Sequence, residues 1–279
     1  VSEDWRVSVE RNQSEYDWLD FARSVVPESA PVLLGSSRQL KGFAMEFIQG
    51  DDVYLWKVAL LGKKIDRNEA EKVGNTLGLI HAAYIDTGRV GTHFQNQERF
   101  YAIRLEPYLE FTATRYPELR KPMNALVHML RNNELTLIHG DISPKNIIFR
   151  QGSPVILDAE CATIGDPCFD VSFCMNHLIL KAIHIPENKN MLLRSAMSLW
   201  TSYASYVTWE SAADLESRVT KLLPALMLAR VDGKSPVDYL FEDEQRMVRE
   251  IAIPVIKRPL RSLSELLAYI DTHSMASTQ

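Results

Sequence analysis

The chain has 279 residues, and its 31 Lys and Arg against 36 Asp and Glu leave a formal charge of −5, which argues against an electrostatic nucleic-acid binder. Hydrophobic residues at 46%, charged residues at 24% and aromatics at 9% are globular proportions and exclude a disordered chain, a collagen-like repeat or a simple coiled coil. At roughly 150 residues per domain, the length suits one large domain or two unequal lobes.

No internal repeat or low-complexity tract interrupts the chain, so its helix and strand periods can be taken in order. Asn12 followed by Glu15 has the spacing of a capping box. Tyr16, Leu19, Ala22 and Val25 then recur at helical spacing until Pro27 ends the run. PVLLG and FAMEFI, separated by the polar SSRQLKG, predict a hairpin. IQGDD breaks that pattern and marks the expected boundary between a small lobe, residues 1–49, and a larger one, residues 50–279.

Asp66 and Glu69 form a second capping-box pattern ahead of a helix with Ala70, Val73, Leu77 and Ile80 on its apolar face. Leu119, Met123, Leu126 and Leu130 predict another helix. The period then changes. LTLIHGD, NIIFR and PVILD are short, β-branched and separated by turn residues, Gln151, Gly152 and Ser153 among them. From Val171 onward nearly everything is expected to be helical, with Pro224, Pro254 and Pro259 marking kinks or ends. The fold class expected is therefore α+β, a small strand-containing lobe joined to a large, mainly helical one.

Three cysteines, Cys161, Cys168 and Cys174, crowd into one segment, which fits reduced thiols and a cytoplasmic protein better than a disulfide framework. The apolar runs are broken by charge before the ~20 residues a membrane span needs. The opening VSEDWRVSVE also lacks the apolar stretch of a signal peptide. Cys174 and His177 lie one helical turn apart, but without a second ligand pair they are expected to be core residues rather than a zinc site. Trp56, Trp200 and Trp209 are likewise expected to pack in the core.

The chemistry concentrates in LIHGDISPKNIIFRQGSPVILDAE. Asn146 and Asp158 each lie six residues from Gly152, so a hairpin folded about that glycine is expected to bring them opposite each other, about 5 Å apart. Asp141 enters the same end, and Glu160, two residues past Asp158, points to the same side if the chain stays extended. Three acids and an amide oxygen converging on one mouth call for a hard cation, and Mg²⁺ suits carboxylate and amide oxygens shared with substrate phosphates. HGDISPKN carries the HxDxxxxN spacing of phosphoryl transfer, in which the Asp receives a hydroxyl proton while the Asn and a later Asp hold metal.

HGDISPKNIIF followed by LDAECATIGDPCFDVSFCMNHLIL resembles the aminoglycoside phosphotransferase and choline kinase family, with methylthioribose-kinase-like relatives. FAMEFIQG is similar to that family's last small-lobe strand and hinge, VGNTLGLIHAAY to its next helix, and the helix containing ERNQSEYDWL to the regulatory helix of kinases. The resemblance implies a protein-kinase-like, two-lobed fold and an ATP- and Mg-dependent transfer to a hydroxyl of a small molecule: a sugar, an amino alcohol or an aminoglycoside.

It implies that Asp141 orients the acceptor hydroxyl, that Asn146 and Asp158 hold Mg²⁺, and that Glu160 lies near the metal or acceptor. Met45, Glu46, Phe47 and Ile48 would border or pair with adenine, and Lys145 would approach the γ-phosphate. His139, Asp170 and Glu15 would act one layer out, Asp170 by bracing the catalytic loop or by capping its own helix, and Glu15 by pairing a strand lysine or by capping. Arg230 and Lys234, near a glycine turn, are retained as substrate or phosphate contacts, and the acidic balance leans toward a cationic or neutral acceptor.

Two features depart from the family pattern. No two glycines are separated by a single residue, so no GxGxxG loop exists, and no strands carrying such a loop and a phosphate-binding lysine fit before Val9. The sequence is expected either to lack its natural beginning or to describe a catalytically inert, kinase-shaped binding module, and the intact metal-side residues favour the former. A protein kinase is disfavoured because HGD replaces HRD, DAE replaces DFG and an APE segment is absent.

Overall fold

In a computed structural model, the described residues are 11–37, 39–88 and 94–274. Helix α1 (Arg11–Val25) precedes a hairpin of β1 (Leu33–Ser37) and β2 (Gly42–Met45), paired antiparallel with an irregular register between Leu33 and Gly35. The helix is already formed at Arg11, so Asn12 is not its cap; the Asn12 amide donates instead to the Lys41 carbonyl at 2.7 Å.

Strand β3 (Val53–Leu55) leads into α2 (Trp56–Leu61) and then α3 (Arg67–Asp86). Asp66 caps α3 by accepting from the Asn68 amide, as its sequence position suggests. Glu69 does not complete a capping box. Its carboxylate accepts from the Tyr54 hydroxyl at 2.6 Å and from the indole of the buried Trp56 at 2.8 Å, whose N–H has no water to turn to.

A short helix α4 (Gln97–Phe100) widens into a π-helical segment (Tyr101–Glu110) containing Pro107, followed by α5 (Phe111–Arg115) and α6 (Arg120–Asn132). Strand β4 (Thr136–Ile138) pairs with β7 (Thr163–Gly165), while β5 (Ile147–Arg150) lies between β3 and β6 (Ser153–Ile156). Helices α7 (Cys168–His184), α8 (Lys189–Ala204), α9 (Ala212–Asp232), α10 (Glu242–Lys257) and α11 (Leu263–His273) complete the chain.

Helix α7 is the axis of the core: every residue from Cys168 to Ile183 is buried, with α8 and α9 packed against it. A helix buried on all sides must be surrounded by partners, and here it carries the loop after β4 on its N-terminal turn. Cys161, Cys168 and Cys174 are free, buried thiols, and Trp56 and Trp200 are core residues. Among the described residues, no helix is long and apolar enough to cross a membrane.

Candidate active site

The β5–β6 turn consists of two residues, Gln151 (φ 52°) and Gly152 (φ 73°), both left-handed, the geometry that matches a tight hairpin to strand twist. The fold axis therefore lies between these residues, and Ile147 pairs with Ile156. This corrects the expected register by one position. Asn146 faces Leu157, whose amide donates to the Asn146 carbonyl at 2.9 Å, and Asp158 lies one residue beyond. Asp158 is itself left-handed, φ 66°, so the chain is not extended there and Glu160 does not continue along the same face. Glu160 instead pairs with Arg11 at 2.8 Å.

The loop between β4 and β5 holds Asp141 at the centre of a buried polar network. Its carboxylate meets Arg104 Nη2 at 3.0 Å, Lys145 Nζ at 3.0 Å and Asn146 Nδ2 at 2.9 Å. Burial alone would raise the Asp141 pKa, but the charges of Arg104 and Lys145 outweigh it and hold the carboxyl below its ordinary range. Arg104 also donates Nε–H to the Gly140 carbonyl at 2.6 Å, fixing the backbone of the loop as well as its acid. Gly140 has φ 78°, and a Cβ there would come within 2.8 Å of Cys161 Cβ, so a side chain at this position is excluded twice over.

Asp170, buried in α7, accepts from the backbone amides of His139 at 2.7 Å and Gly140 at 2.8 Å. It is not the helix cap: Pro167 precedes α7, and Asp166 accepts from the Cys168 amide. The buried His139 ring lies edge-on to Trp18, with Nε2 3.1 Å from the Leu157 carbonyl and Nδ1 accepting from the Asp141 amide at 3.1 Å. Burial lowers its pKa, and the nearby charges of Asp170 and Asp141 only partly offset this.

Asp158 and Asp141 flank the same ammonium, Lys145 Nζ standing 4.0 Å from Asp158 and 3.0 Å from Asp141. Burial, then repulsion from Asp141 and Glu160, raises the Asp158 pKa to about 6. Glu15 on α1 faces Asp158 and Glu160, and burial with those two charges raises its pKa to about 7. No lysine among the described residues pairs with Glu15.

The donor set nevertheless suits a hard cation. Asn146 spends its Nδ2 on Asp141, leaving Oδ1 with no donor among the described residues, and the raised carboxyls of Asp158 and Glu15 mark excess negative charge beside it. The four-residue cage expected at 141–160 is looser than its spacing suggested. Among the described residues, no three His, Cys, Asp or Glu side chains stand close enough to hold a metal.

In the segment expected to form the hinge, Met45 and Phe47 are exposed. The Glu46 amide donates to the Val32 carbonyl at 2.8 Å, while its carboxylate accepts from the Val32 amide and pairs with Arg150, both at 2.9 Å. Glu46 thus ties the β1–β2 hairpin to β5.

A cavity of about 610 Å³ opens beside Asp141. Its wall includes Lys57, Arg104, Lys145, Arg230 and Lys234 against Asp141, Glu160 and Asp238, so it is basic on balance. The acidity of the whole chain therefore does not carry over to the wall of this cavity. Lys234 pairs with Glu106 at 2.8 Å, and Arg230 donates to the Tyr108 hydroxyl and to Ser235. Asp232, between them, faces away and is held by Arg249 and Tyr116.

Sequence reasoning missed Arg104, Lys57 and Tyr108. The signal for Arg104 was a charge inside the apolar run FYAIRLEPYL, where an arginine must be paired to be buried.

Residues 2–198 match the model described as the phosphotransferase enzyme family, APH. A methylthioribose kinase from Erwinia tasmaniensis is 27% identical over 113 residues, covering 37% of this chain and 28% of that enzyme. The match thus spans less than a third of that relative's length. Among solved structures, the amicoumacin kinase hAmiN, in complex with AMP-PNP, Ca²⁺ and Ami, superposes with a TM-score of 0.60 at 15% identity, covering 93% of this chain and 82% of that one. An aminoglycoside phosphotransferase from Alicyclobacillus acidocaldarius gives a TM-score of 0.51 at 11% identity, with 96% and 85% covered. At these identities the superpositions show a shared fold.

Proposed function

This chain belongs to the phosphotransferase enzyme family, and on that premise we propose that it transfers the γ-phosphoryl group of ATP to a hydroxyl of a small molecule bound in the cavity beside Asp141. The observation that carries the reading is the Asp141 carboxylate, buried yet held ionised by Arg104 and Lys145 at the wall of a cavity large enough for a small acceptor.

An acceptor hydroxyl hydrogen-bonded to Asp141 would have its oxygen aimed at the γ-phosphorus. A new oxygen–phosphorus bond forms, the bond from that phosphorus to the bridging oxygen breaks, ADP departs and the hydroxyl proton passes to Asp141. A carboxylate with a lowered pKa is a weak base, so its main contribution is orientation, in keeping with a loose transition state in which the proton leaves late. Lys145, beside both Asp141 and Asp158, would neutralise charge on the transferring group.

Asn146 Oδ1 and Asp158 would hold Mg²⁺, which supplies charge neutralisation and a template for the phosphates. Adenine would lie along Met45–Ile48, using backbone groups other than the Glu46 amide, which Val32 already occupies. Asp170 and His139 would keep the loop in shape without touching substrate.

A catalytically inert binding module is the second reading, favoured by a Glu15 carboxyl that faces two other acids rather than a lysine. An ATP-consumption screen against sugars, sugar acids, amino alcohols and aminoglycosides with Mg²⁺ separates the two. Acceptor-dependent ADP release with a phosphorylated product supports the enzyme, whereas nucleotide binding without turnover on any acceptor supports the module.

A further inference from the structure

A second, smaller chamber of about 40 Å³ adjoins the main cavity, and Lys57, Lys145, His177 and Arg230 line both. Its remaining wall brings in Lys181 and Tyr239, with Asp238 as its one acid. Two of the four cations are already matched: Lys145 by Asp141, and Lys57 by Asp238 at 3.4 Å.

Lys181 and Arg230 are not matched. Lys181 is 1% exposed, yet its ammonium has no carboxylate within ion-pair distance among the described residues. It has only the His177 carbonyl at 3.4 Å and the face of the Tyr239 ring at 4.9 Å. Arg230 spends Nη1 on neutral oxygens of Tyr108 and Ser235 and leaves its buried Nε without a partner. His177 Nε2 and the Tyr239 hydroxyl, on the same wall, are also buried and unpartnered. Burial and the neighbouring charges of Lys57 and Arg230 lower the Lys181 pKa to about 7, the response of a buried cation lacking a counter-ion.

Unpaired buried charge and several idle hydrogen-bonding groups around one void are destabilising unless something of opposite sign enters it. A void of this size holds about three water-sized groups, enough for a planar carboxylate but tight for a tetrahedral phosphate.

Resting on the kinase reading above, we propose that the acceptor is a hydroxy acid whose carboxylate seats in the inner chamber against Lys181 and Arg230 while its hydroxyl lies at Asp141. Lys145, which touches Asp141 and lines the chamber, fixes the short separation between the two ends.

Two measurements on the full chain test this. Thermal stability is followed at constant ionic strength with acetate, glycolate or gluconate replacing chloride, for the wild type, Arg230→Gln and Lys181→Met. Turnover is measured with glycerate and gluconate against glycerol, glucose and glycerol 3-phosphate. Carboxylates are expected to raise the wild-type Tm, and each substitution to abolish the gain. An acid should be phosphorylated at least about tenfold faster in kcat/KM than its neutral counterpart. Lys181→Met should raise KM about 10- to 100-fold, the range for one charged hydrogen bond, with kcat changed little. Lys181→Met removes an unpaired buried charge and should fold at least as stably as the wild type, which keeps the test readable.

Equal use of neutral and acidic acceptors, a preference for glycerol 3-phosphate, or a carboxylate gain in Tm that survives both substitutions would overturn the proposal while leaving the kinase reading intact. Carboxylate stabilisation lost in both variants, with no ATP consumed on any acceptor, acidic or neutral, would keep the chamber as a carboxylate site and overturn the kinase reading.

Discussion

Replacing Arg104 by methionine keeps much of the side-chain length and removes the guanidinium that holds the catalytic loop. Three interactions disappear: the 3.0 Å ion pair to Asp141, the 2.6 Å hydrogen bond to the Gly140 carbonyl and the 2.8 Å hydrogen bond to the Ile103 carbonyl. Breaking a buried ion pair by removing one partner destabilises by about 3–5 kcal/mol. Lys145 and Asn146 remain on Asp141, and the Met side chain still packs near Tyr108 and Phe173, which puts the expected loss near the lower end, about 3 kcal/mol.

Burial would then be less opposed, so the Asp141 pKa should rise and the acidic limb of the kcat/KM profile should move to higher pH. Urea unfolding gives the stability change, and a pH series of turnover gives the limb. In a double-mutant cycle with Asp141→Asn, the combined loss should be smaller than the sum, because Arg104 and Asp141 each strand the other when removed singly. A loss below about 0.5 kcal/mol, an unmoved acidic limb and simple additivity would together refute the role of Arg104.

Other consequences follow from the same geometry. Asp170→Ala removes both acceptors of the His139 and Gly140 amides and should destabilise by about 3 kcal/mol or more by chemical denaturation, since charged hydrogen bonds contribute about 1.5–3 kcal/mol each. Gly140→Ala forces a Cβ against Cys161 in a left-handed backbone and should cost about 2–4 kcal/mol in the same assay. Asp158 and Glu15 have folded-state pKa values raised to about 6 and about 7, so the folded state binds protons more tightly than the unfolded chain. The contribution of these two groups to metal-free stability should therefore be full below about pH 4 and decline as pH rises toward 7. Mg²⁺ should flatten that decline, and Glu15→Gln should do so without Mg²⁺. A Tm that rises with pH over this window in metal-free buffer would contradict the acidic pairing.

How much was legible in the sequence depended on whether the deciding interaction was local. The hairpins, α3 with its Asp66 cap and the helical run after Val171 were readable because period and turn chemistry lie within one segment. The register error came from centring the turn on Gly152 rather than between Gln151 and Gly152, a one-residue shift that moves Asp158 off the face of Asn146.

Glu69 was misjudged because Tyr54 and Trp56, thirteen and more residues away, outbid the local cap. The pairing of Arg104 with Asp141 and the Lys181–Arg230 chamber lay out of reach because α7, α9 and the π-helical segment meet only in the folded chain. The positive wall of the cavity is similarly invisible in a net charge of −5, which counts residues without locating them.

Asp141→Asn leaves the shape of the site nearly unchanged while removing the charge proposed to orient the acceptor hydroxyl. With Mg²⁺, ATP and an acceptor found by the turnover screen, kcat should fall by about 10²- to 10⁴-fold while ATP affinity stays within a few fold of the wild type. Turnover equal to that of the wild type would contradict the assignment of Asp141 and of the cavity beside it.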